Sequence, residues 1–545
     1  MTYENLILEA TDAILDNFVG TSFVPSVVSE DVINACNNEI IMENTTRVHT
    51  GFTKYKQLTT LTTVQVARIL LKLEEVKQID TGTDVHNNDK LLLDVYQKSG
   101  DDRGIYITGN TDLRRLARNY KPSMTTKEFN EVCSMLHDTA PIVKRCEEKN
   151  LVAVNNGIFH YDTKVLESFT PDLVFLSKCP VDYNHAAQNI VIHNDEDGTD
   201  WDIESWMIDM FDNDTEVSEC CWESIGACIR PLQGWDKCAF FYGEAGNGGK
   251  GTICSLIRNL LGRGAVSLPL SDMDKRFSLE PVLHATAIIT DENKVNEYLD
   301  DVSNLKALIT NDVLSIEAKF QMPVSFRYKG FMIQCLNGML KVRDKSDSFY
   351  RRQLFLPFFK CFTGKERKYI KNDYLTRKEV LEYVLYRVLN MNYTTLSEPT
   401  KAKELFDVPE VCKTALEEYK EFNDPIRRFL SEMLPELKLN RIPMTMLYDL
   451  YNAWYCKQNN NKPDGTNQNT FTRQVKQVIS DYTAESGFVF ANDTKINFDK
   501  DNLEPLLKDY KLYHWIDGKY SEADNFGVRV DPAKSGKYKS VIMRK

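Results

Sequence analysis

The chain lacks the paired cysteine spacings that build zinc fingers or secreted disulfide scaffolds. Its 13 cysteines are scattered over 545 residues, and no two of them are spaced as Cys-x-x-Cys. A structural zinc site is therefore not expected. An odd number of cysteines without framework spacing indicates reduced thiols, so we expect the protein in the cytoplasm.

Long apolar runs and an excess of positive charge are also missing. No stretch of about 18 apolar residues is present, so we expect no association with a membrane. Residues 1–17 carry acidic side chains and no basic one, unlike a signal peptide. The formal net charge of -12 excludes a chain that coats itself with nucleic acid, although it allows a local basic surface.

The residues that are present suffice for several apolar cores. Hydrophobic residues make up 42% and charged residues 27% of the chain, which is typical of a folded protein. The length predicts more than one domain. We expect a helical N-terminal region of unknown role at 1–100, a mixed α+β domain at 101–235 and an α/β core at 236–395. A linker at 396–424 leads to a last module at 425–545, whose 19 basic and 15 acidic residues give it a local charge of +4.

A glycine-rich segment follows a short apolar run and precedes a predicted helix. Residues 243–252 read Gly-Glu-Ala-Gly-Asn-Gly-Gly-Lys-Gly-Thr. Strand, glycine-rich loop, lysine, hydroxyl and helix are the order of a phosphate-binding P-loop. Its backbone N–H groups face the phosphates, and Lys250 places a positive charge on the β- and γ-phosphates. The predicted nucleotide-binding residues are Gly243, Gly246, Asn247, Gly248, Gly249, Lys250, Gly251 and Thr252.

The glycine-rich segment departs from the usual P-loop pattern in two respects. One residue too many separates the first glycine from the glycine before Lys250, as if Gly248 or Gly249 were inserted. Gly251 also occupies the usual Ser/Thr position, which leaves Thr252 as the hydroxyl expected beside Mg²⁺. Taken alone, the segment is also compatible with a glycine-rich turn beside a surface lysine.

A compact β-prone run at 285–290 ends in two adjacent carboxylates, Asp291 and Glu292. An apolar strand with two carboxylates at its end is the Walker B arrangement. Asp291 would hold Mg²⁺ through water, and Glu292 would polarise the attacking water. A lone Asp-Glu is commonly a solvated turn, but this pair follows Lys250 at a distance that suits a compact ATPase.

Further candidates follow two other strand-like runs. The run 331–336 ends in Asn337, whose amide could orient water near the γ-phosphate. Arg351 and Arg352 precede a strand-like run, and an arginine contributed by a neighbouring subunit would stabilise charge on the transferred phosphoryl group. Taken singly, Asn337 is also compatible with a turn, and the arginines with a surface pair. The predicted catalytic residues are Lys250, Asp291, Glu292, Asn337, Arg351 and Arg352.

The segment 313–329 predicts a β-hairpin that turns near residues 321–323. Its basic residues stand close to phenylalanines, and a hairpin with lysine and an aromatic ring can engage a DNA strand by charge and stacking. We predict DNA contacts by Lys319, Phe320 and Lys329. An ordinary solvated hairpin is an equally good interpretation for any single residue.

The order of these motifs resembles superfamily 3 helicases of the phage/plasmid primase and poxvirus primase-helicase type. The resemblance rests on the P-loop, the acidic pair, residues 305–312, the hairpin and Asn337, and it ends at residues 348–352. The flanks are similar as well, so that the likeness spans about residues 100–500. Asn311 stands where the family usually has glycine, and Leu340 where it commonly has proline. The region before residue 100 shows no primase carboxylates or zinc ligands, which favours a helicase without primase activity.

The resemblance implies an AAA+ P-loop ATPase core with a mixed α+β N-terminal region and a C-terminal winged-helix-like module. It implies a DNA helicase of a phage, plasmid or mobile element in a bacterial host. ATP and Mg²⁺ would bind between the subunits of a hexamer that moves 3′ to 5′ on single-stranded DNA. The last module would contact duplex DNA, and replication proteins of the host or the element are further expected partners.

Two other functions remain open from the residues alone. A P-loop ATPase that remodels protein–DNA complexes or packages DNA would share Lys250, Asp291 and Asn337, but it would not need the hairpin or the last module. An origin-binding protein with weak ATPase activity would fit the altered phosphate loop. Unwinding of a forked duplex separates the helicase from both.

Overall fold

The described part of the chain forms two compact units in a computed structural model. The first contains residues 1–340 and 351–412, and the second 341–350 and 413–545. The predicted boundaries at 100 and 235 lie inside the first unit, and the one at 424 lies inside the second. The structure describes residues 2–80, 91–294, 298–299, 301–317, 324–391, 406–439, 441–481, 487–492, 505–512, 515 and 540–544.

Three helices open the first unit and share one apolar core with the sheet and helices that follow them. They are α1 (Tyr3–Leu15), α2 (Pro25–His49) and α3 (Thr63–Leu73). Helix α3 confirms the helical pattern seen in the sequence. It begins with a capping box, in which Thr62 and Gln65 each bind the backbone of the other. The Gln65 side chain also joins the three helices, because its Nε2 donates to Thr11 Oγ1 on α1 (3.0 Å) and to Cys36 Sγ on α2 (3.3 Å).

A four-stranded mixed sheet and two helices follow. The sheet has the order β3-β2-β1-β4, with β1 and β4 parallel and the other pairs antiparallel, and it extends across residue 100. These elements are β1 (Val76–Asp80), β2 (Leu92–Tyr96), β3 (Tyr106–Thr108), α4 (Asn110–Tyr120), α5 (Thr126–Thr139) and β4 (Ile142–Lys144).

Short antiparallel strands and two helices connect this sheet to the central one. A hairpin around Asn155-Asn156 is formed by β5 and β6, with β7 as a third strand. The helical segment that follows is divided in two, because Asp214 caps a new helix by accepting from two backbone N–H groups. The elements are β5 (Leu151–Val154), β6 (Gly157–His160), β7 (Val165–Glu167), β8 (Ile192–Asn194), β9 (Thr199–Trp201), α6 (Ile203–Met210) and α7 (Thr215–Ile229).

The centre of the first unit is a parallel sheet of five strands in the order β11-β12-β16-β10-β18. All four neighbouring pairs are parallel, and the inner strands are buried along their whole length. Such continuous apolar strands are typical of α/β proteins. The strands are β10 (Cys238–Tyr242), β11 (Ala265–Val266), β12 (Ala287–Thr290), β16 (Phe331–Leu336) and β18 (Gln353–Pro357).

The remaining elements of the first unit surround this sheet. Strands β14 and β15 form the predicted antiparallel hairpin, whose turn at 318–323 lies outside the described residues. The elements are α8 (Lys250–Leu261), β13 (Tyr298–Leu299), α9 (Ser303–Thr310), β14 (Val313–Ile316), β15 (Val324–Arg327), α11 (Lys368–Asn372) and α12 (Lys378–Asn390).

The second unit has its own core around helices and a three-stranded antiparallel sheet of order β19-β21-β20. Its core includes Phe429, Tyr451, Trp454 and Phe471. The elements are β17 (Lys341–Val342), α10 (Asp347–Tyr350), α13 (Glu410–Asn423), α14 (Pro425–Met433), β19 (Arg441–Pro443), α15 (Met444–Gln458), α16 (Gln468–Asp481), β20 (Phe488–Asn492), α17 (Pro505–Asp509) and β21 (Ser540–Arg544). Helix α13 begins in the first unit.

All 13 cysteines are unpaired, and Cys361 is exposed. None of the described helices is long and apolar enough to cross a membrane. With its central parallel sheet and the helices around it, the protein has a mixed α/β fold.

The buried amide of Gln65 yields a test of the N-terminal packing. We expect Gln65→Ala to lower the free energy of unfolding by about 1–3 kcal/mol, because Thr11, Cys36 and the Thr62 backbone each lose a partner. Urea denaturation measures the effect, with the exposed Gln57→Ala as the matched control. Equal stability of the two variants would contradict this account.

Candidate active site

Three strands of the central sheet deliver polar residues to the same edge. Strand β10 ends before Gly243, β12 before Asp291, and β16, which lies between them, before Asn337. Because the carboxyl ends of parallel strands meet at one edge, the phosphate loop, the acidic pair and Asn337 lie on the same side of the sheet. This edge is where α/β sheets place ligands. The phosphate loop is joined directly to the strand that precedes Asn337, since Gly243 N donates to Leu336 O at 3.1 Å.

The phosphate loop turns from β10 into the N-terminus of α8. Gly249 caps this helix with a left-handed backbone (φ 87°), and Asn247 is left-handed as well (φ 59°). Lys250 is the first helical residue, and it is buried. Its Nζ donates to Gly243 O at 2.7 Å, so the lysine closes the loop from inside. Burial lowers the pKa of Lys250, which indicates a cation that an anion would stabilise.

The phosphate loop packs closely against Met210, Phe358 and Lys360 at its last two glycines. A Cβ atom at Gly249 would lie 2.2 Å from Met210 Sδ, and one at Gly248 would lie 3.3 Å from Phe358 O and Lys360 O. The position before Lys250 therefore requires glycine for two reasons, its backbone conformation and its close contact. Asn247 anchors the exposed part of the loop, since its Nδ2 lies 3.2 Å from both Thr363 Oγ1 and Glu366 Oε1.

The remaining loop residues differ in their exposure. Gly246 and Asn247 are exposed, whereas Gly251 and Thr252 on the first turn of α8 are half-buried. Thr252 N donates to Gly249 O at 2.9 Å. A hydroxyl at this place and a carboxylate at Asp291 are oxygen donors of the kind that Mg²⁺ prefers.

The acidic pair is accessible, and one of its members is already paired. Asp291 and Glu292 are both exposed. Asp291 Oδ2 lies 2.6 Å from Arg258 Nη1, and the same guanidinium donates to Ile289 O at 2.9 Å. Arg258 belongs to none of the motifs recognised in the sequence. No local pattern singles it out, because its partner Asp291 lies 33 residues away in the chain.

A buried amide behind the acidic pair was also missed. Asn293 Oδ1 accepts from Leu270 N at 2.9 Å, and its Nδ2 donates to Gln334 Oε1 at 2.9 Å and to Cys335 O at 3.1 Å. Asn293 therefore fixes the backbone that follows Asp291 to the neighbouring strand β16.

One group of potential metal ligands is present among the described residues. Cys254 Sγ, Cys335 Sγ and a carboxylate oxygen of Asp291 lie within 4.8 Å of one another. The two sulfurs are 3.4 Å apart, and this hydrogen bond together with burial raises the pKa of Cys254 well above its usual value. Protonated thiols are poor metal ligands, and thiolates suit soft metals rather than Mg²⁺. The thiols therefore add nothing to the predicted magnesium site.

The structure does not bring the two arginines to the phosphate loop of the same chain. Arg351 is exposed, Arg352 is half-buried, and both precede β18. Their backbone carbonyls accept from Lys237 Nζ and Cys238 N, both at 2.8 Å, at the beginning of β10. The phosphate loop follows the other end of β10, and five strand residues span about 16 Å. The arginines thus lie at the opposite edge of the sheet.

Of the predicted DNA contacts, only Lys329 can be placed. It follows β15, is half-buried and lies 3.7 Å from Glu147 Oε1. Lys319 and Phe320 lie outside the described residues.

Three family models match separate segments of the chain. The model "D5 N terminal like" matches residues 57–212, DUF5906, a family of unknown function, matches 241–352, and "Poxvirus D5 protein-like" matches 421–511. The two flanking matches confirm the resemblance to the poxvirus primase-helicase type that the motifs of the sequence indicate. The segment with the phosphate loop and the acidic pair matches the family without an assigned function.

Solved structures of the NrS-1 C-terminal region resemble the chain distantly. An A-form apo structure has a TM-score of 0.43 and 13% identity, and covers 89% of this chain and 100% of that one. A second A-form apo structure, of region 305–718, has a TM-score of 0.43 and 12% identity with the same coverage. At these TM-scores the likeness assigns no function. No curated protein matches the chain significantly.

Two glycines of the loop form a matched pair for mutation. A Cβ atom at Gly243 would lie 2.5 Å from Phe358 O and 3.2 Å from Lys250 Nζ, whereas one at Gly246 would meet nothing within 4 Å. We expect Gly243→Ala to destabilise the protein by about 1–3 kcal/mol and Gly246→Ala to leave its stability unchanged. Thermal unfolding without nucleotide measures both, and an equal effect of the two substitutions would show that the loop has a different conformation.

Proposed function

We propose that this protein is an ATP-driven DNA helicase that acts as a ring in replication initiation of a phage, plasmid or other mobile element. One observation carries the proposal. The phosphate loop, the acidic pair and Asn337 share one edge of a parallel sheet, while the arginine pair lies at the opposite edge. In this proposal the sheet is an AAA+ core, and the second unit is a winged-helix-like module for duplex DNA.

ATP would bind at the edge that carries the phosphate loop. The N–H groups of residues 246–252 and Lys250 would hold its phosphates, and Thr252 and Asp291 would hold Mg²⁺. The bound Mg²⁺ neutralises phosphate charge and orients the γ-phosphate. Glu292 is exposed beside this edge, where it would polarise the attacking water, and Asn337 would orient that water.

The position of the arginines favours an assembly of several subunits. An exposed Arg351 at the opposite edge of the sheet cannot reach the phosphates bound by its own chain, but it can face the phosphate loop of a neighbour. Head-to-tail contacts of this kind close into rings when the rotation fits. We propose a hexamer in which Arg351 acts as the finger and Arg352 as a sensor.

DNA would pass the hairpin of strands β14 and β15. Lys329 at its end, together with Lys319 and Phe320, would contact a single strand by charge and stacking. Hydrolysis would move this hairpin, and the family resemblance favours movement from 3′ to 5′. Replication proteins of the host or the element would be further partners.

A second candidate, an origin-binding protein with weak ATPase activity, is favoured by one observation. Arg258 already occupies an oxygen of Asp291, the carboxylate that would hold Mg²⁺. In that protein Arg258 would stay on Asp291 when nucleotide is present, and turnover would remain low.

We expect ATP-dependent unwinding of a 3′-tailed fork by the wild type and none by Lys250→Ala, which loses the charge on the β- and γ-phosphates. Arg351→Ala should keep ATP binding but lose turnover by roughly a thousandfold. Arg115→Ala, which removes an exposed arginine of α4, is the matched control.

The same assay separates the two candidates. Slow turnover without unwinding in the wild type would favour the origin-binding protein. If wild type and Lys250→Ala bound and hydrolysed ATP equally, the assignment of the phosphate loop would be wrong.

A further inference from the structure

A small cavity in the first unit gathers basic side chains from separate segments of the chain. Its described lining includes Arg145, Lys178, Lys329 and His284 and contains no aspartate or glutamate. The cavity leaves about 50 Å³ for the centres of water-sized molecules. A single buried water needs roughly 10–15 Å³ by the same measure, so the space admits several waters or one small anion.

The cavity is separate from the proposed ATP site. Its lining includes Leu261, the last residue of α8, and Thr286, which directly precedes β12. The phosphate loop and the acidic pair lie at the other ends of these two elements. The 12 residues of α8 alone span about 18 Å. A ligand in the cavity would therefore not share the nucleotide's position.

Arg145 is a half-buried cation whose Nε has no hydrogen-bond partner. Its Nη2 donates to Arg327 O at 3.2 Å, and its guanidinium carbon lies 5.8 Å from the centre of the Phe326 ring. The Nε atom is itself buried. Burial lowers the pKa of Arg145 to about 10; the charge of Glu147 opposes this shift, and the charge of Arg327 adds to it. The arginine remains charged at neutral pH, so its burial is costly unless an anion is near.

Lys329 is neutralised only in part. Its Nζ lies 3.7 Å from Glu147 Oε1, and the side chain of Glu147 is more than half exposed. Burial lowers the pKa of Lys329, and the charges of Arg145, Arg327 and Lys149 lower it further, against the opposite effect of Glu147. One exposed carboxylate thus faces four neighbouring cations.

The other two basic side chains of the lining, Lys178 and His284, add no negative charge. Lys178 Nζ donates to two neutral oxygens, Arg103 O at 2.9 Å and Asn155 Oδ1 at 3.1 Å. Burial lowers the pKa of Lys178, and the charges of Asp102, Asp101 and Asp182 oppose this shift. Burial also lowers the pKa of His284, which is therefore neutral at pH 7 and can still donate one hydrogen bond. The cavity keeps an excess of positive charge.

We propose that this cavity binds a phosphate group, supplied by a small free phosphate compound or by the backbone of DNA. A phosphate would accept from the guanidinium of Arg145 and from Lys329, which both line the cavity, and it would offset the repulsion among the cations. Arginine and lysine are the side chains that recognise phosphate in proteins. The site lies outside the proposed ATPase machinery and does not depend on it.

Inorganic phosphate, titrated by calorimetry without nucleotide, tests the site directly. We expect binding by the wild type, by Lys250→Ala, which removes the phosphate loop's lysine, and by Lys371→Met, which removes an exposed lysine of α11. Lys329→Met and Arg145→Gln should weaken binding at least tenfold, and Lys329→Arg should retain it. Retention by the charge-conserving variant excludes a mere loss of folding.

Two outcomes would overturn the proposal. If Lys329→Met and Arg145→Gln bind phosphate as tightly as the wild type, phosphate does not bind in the cavity. Affinity that is lost in Lys250→Ala but kept in Lys329→Met assigns the phosphate to the P-loop instead. Failure of ATP turnover, by contrast, would leave phosphate binding in Lys250→Ala unaffected, so the two proposals fail separately.

A DNA-binding arm identifies the source of the phosphate. If the cavity takes a backbone phosphate, Arg145→Gln should reduce the slope of log affinity against log salt by about 1. If the cavity takes a free phosphate compound, Arg145→Gln should have the same DNA affinity and the same salt slope as Lys371→Met. It should still have lost the binding of inorganic phosphate. Fluorescence anisotropy of a labelled single strand at several salt concentrations measures both.

Discussion

The parallel pairing of β10, β16 and β12 is the constraint on which the candidate site depends. Because these strands run in the same direction, the residues that follow them reach the same edge, although they are up to about a hundred positions apart in the chain. The same pairing places the beginning of β18, and with it Arg351 and Arg352, at the opposite edge. The sheet therefore carries the phosphate loop at one edge and the two arginines at the opposite edge. In a ring, these two edges of neighbouring subunits would face each other.

Electrostatics would favour a phosphate at the proposed ATP site. Lys250 is buried and donates to Gly243 O, so in the proposed function a bound phosphate would offset the cost of burying this cation. Arg258 pairs with Asp291 in the same region. In the proposed function, Mg²⁺ would compete with this ion pair for Asp291.

Several features of this site follow from the sequence because they depend on local patterns. The glycines and Lys250 at the start of a helix, the carboxylates at the end of an apolar run, and the break before Asp214 each have a cause within a few residues. The roles of Arg258 and Asn293 could not be predicted in this way, because their partners lie 23 to 42 positions away and become neighbours only through the strand order. The sheet that extends across residue 100 could not be predicted for the same reason, since β1 pairs with β4 more than sixty residues later. The cationic cavity likewise joins segments that no short pattern connects.

The central claim is that each ATP site is completed by the neighbouring subunit, and mixing two inactive variants tests it most directly. Lys250→Ala and Arg351→Ala would be combined in equal amounts, allowed to exchange subunits, and assayed for ATP hydrolysis. Random assembly leaves about a quarter of the interfaces with both an intact lysine and an intact arginine. The account predicts that the mixture recovers a substantial fraction of the activity expected from these complete interfaces, which is about a quarter of the wild-type ATP hydrolysis. Activity that stays at the level of the separate variants, although mixed assemblies form, would contradict it and would place Arg351 outside the ATP site.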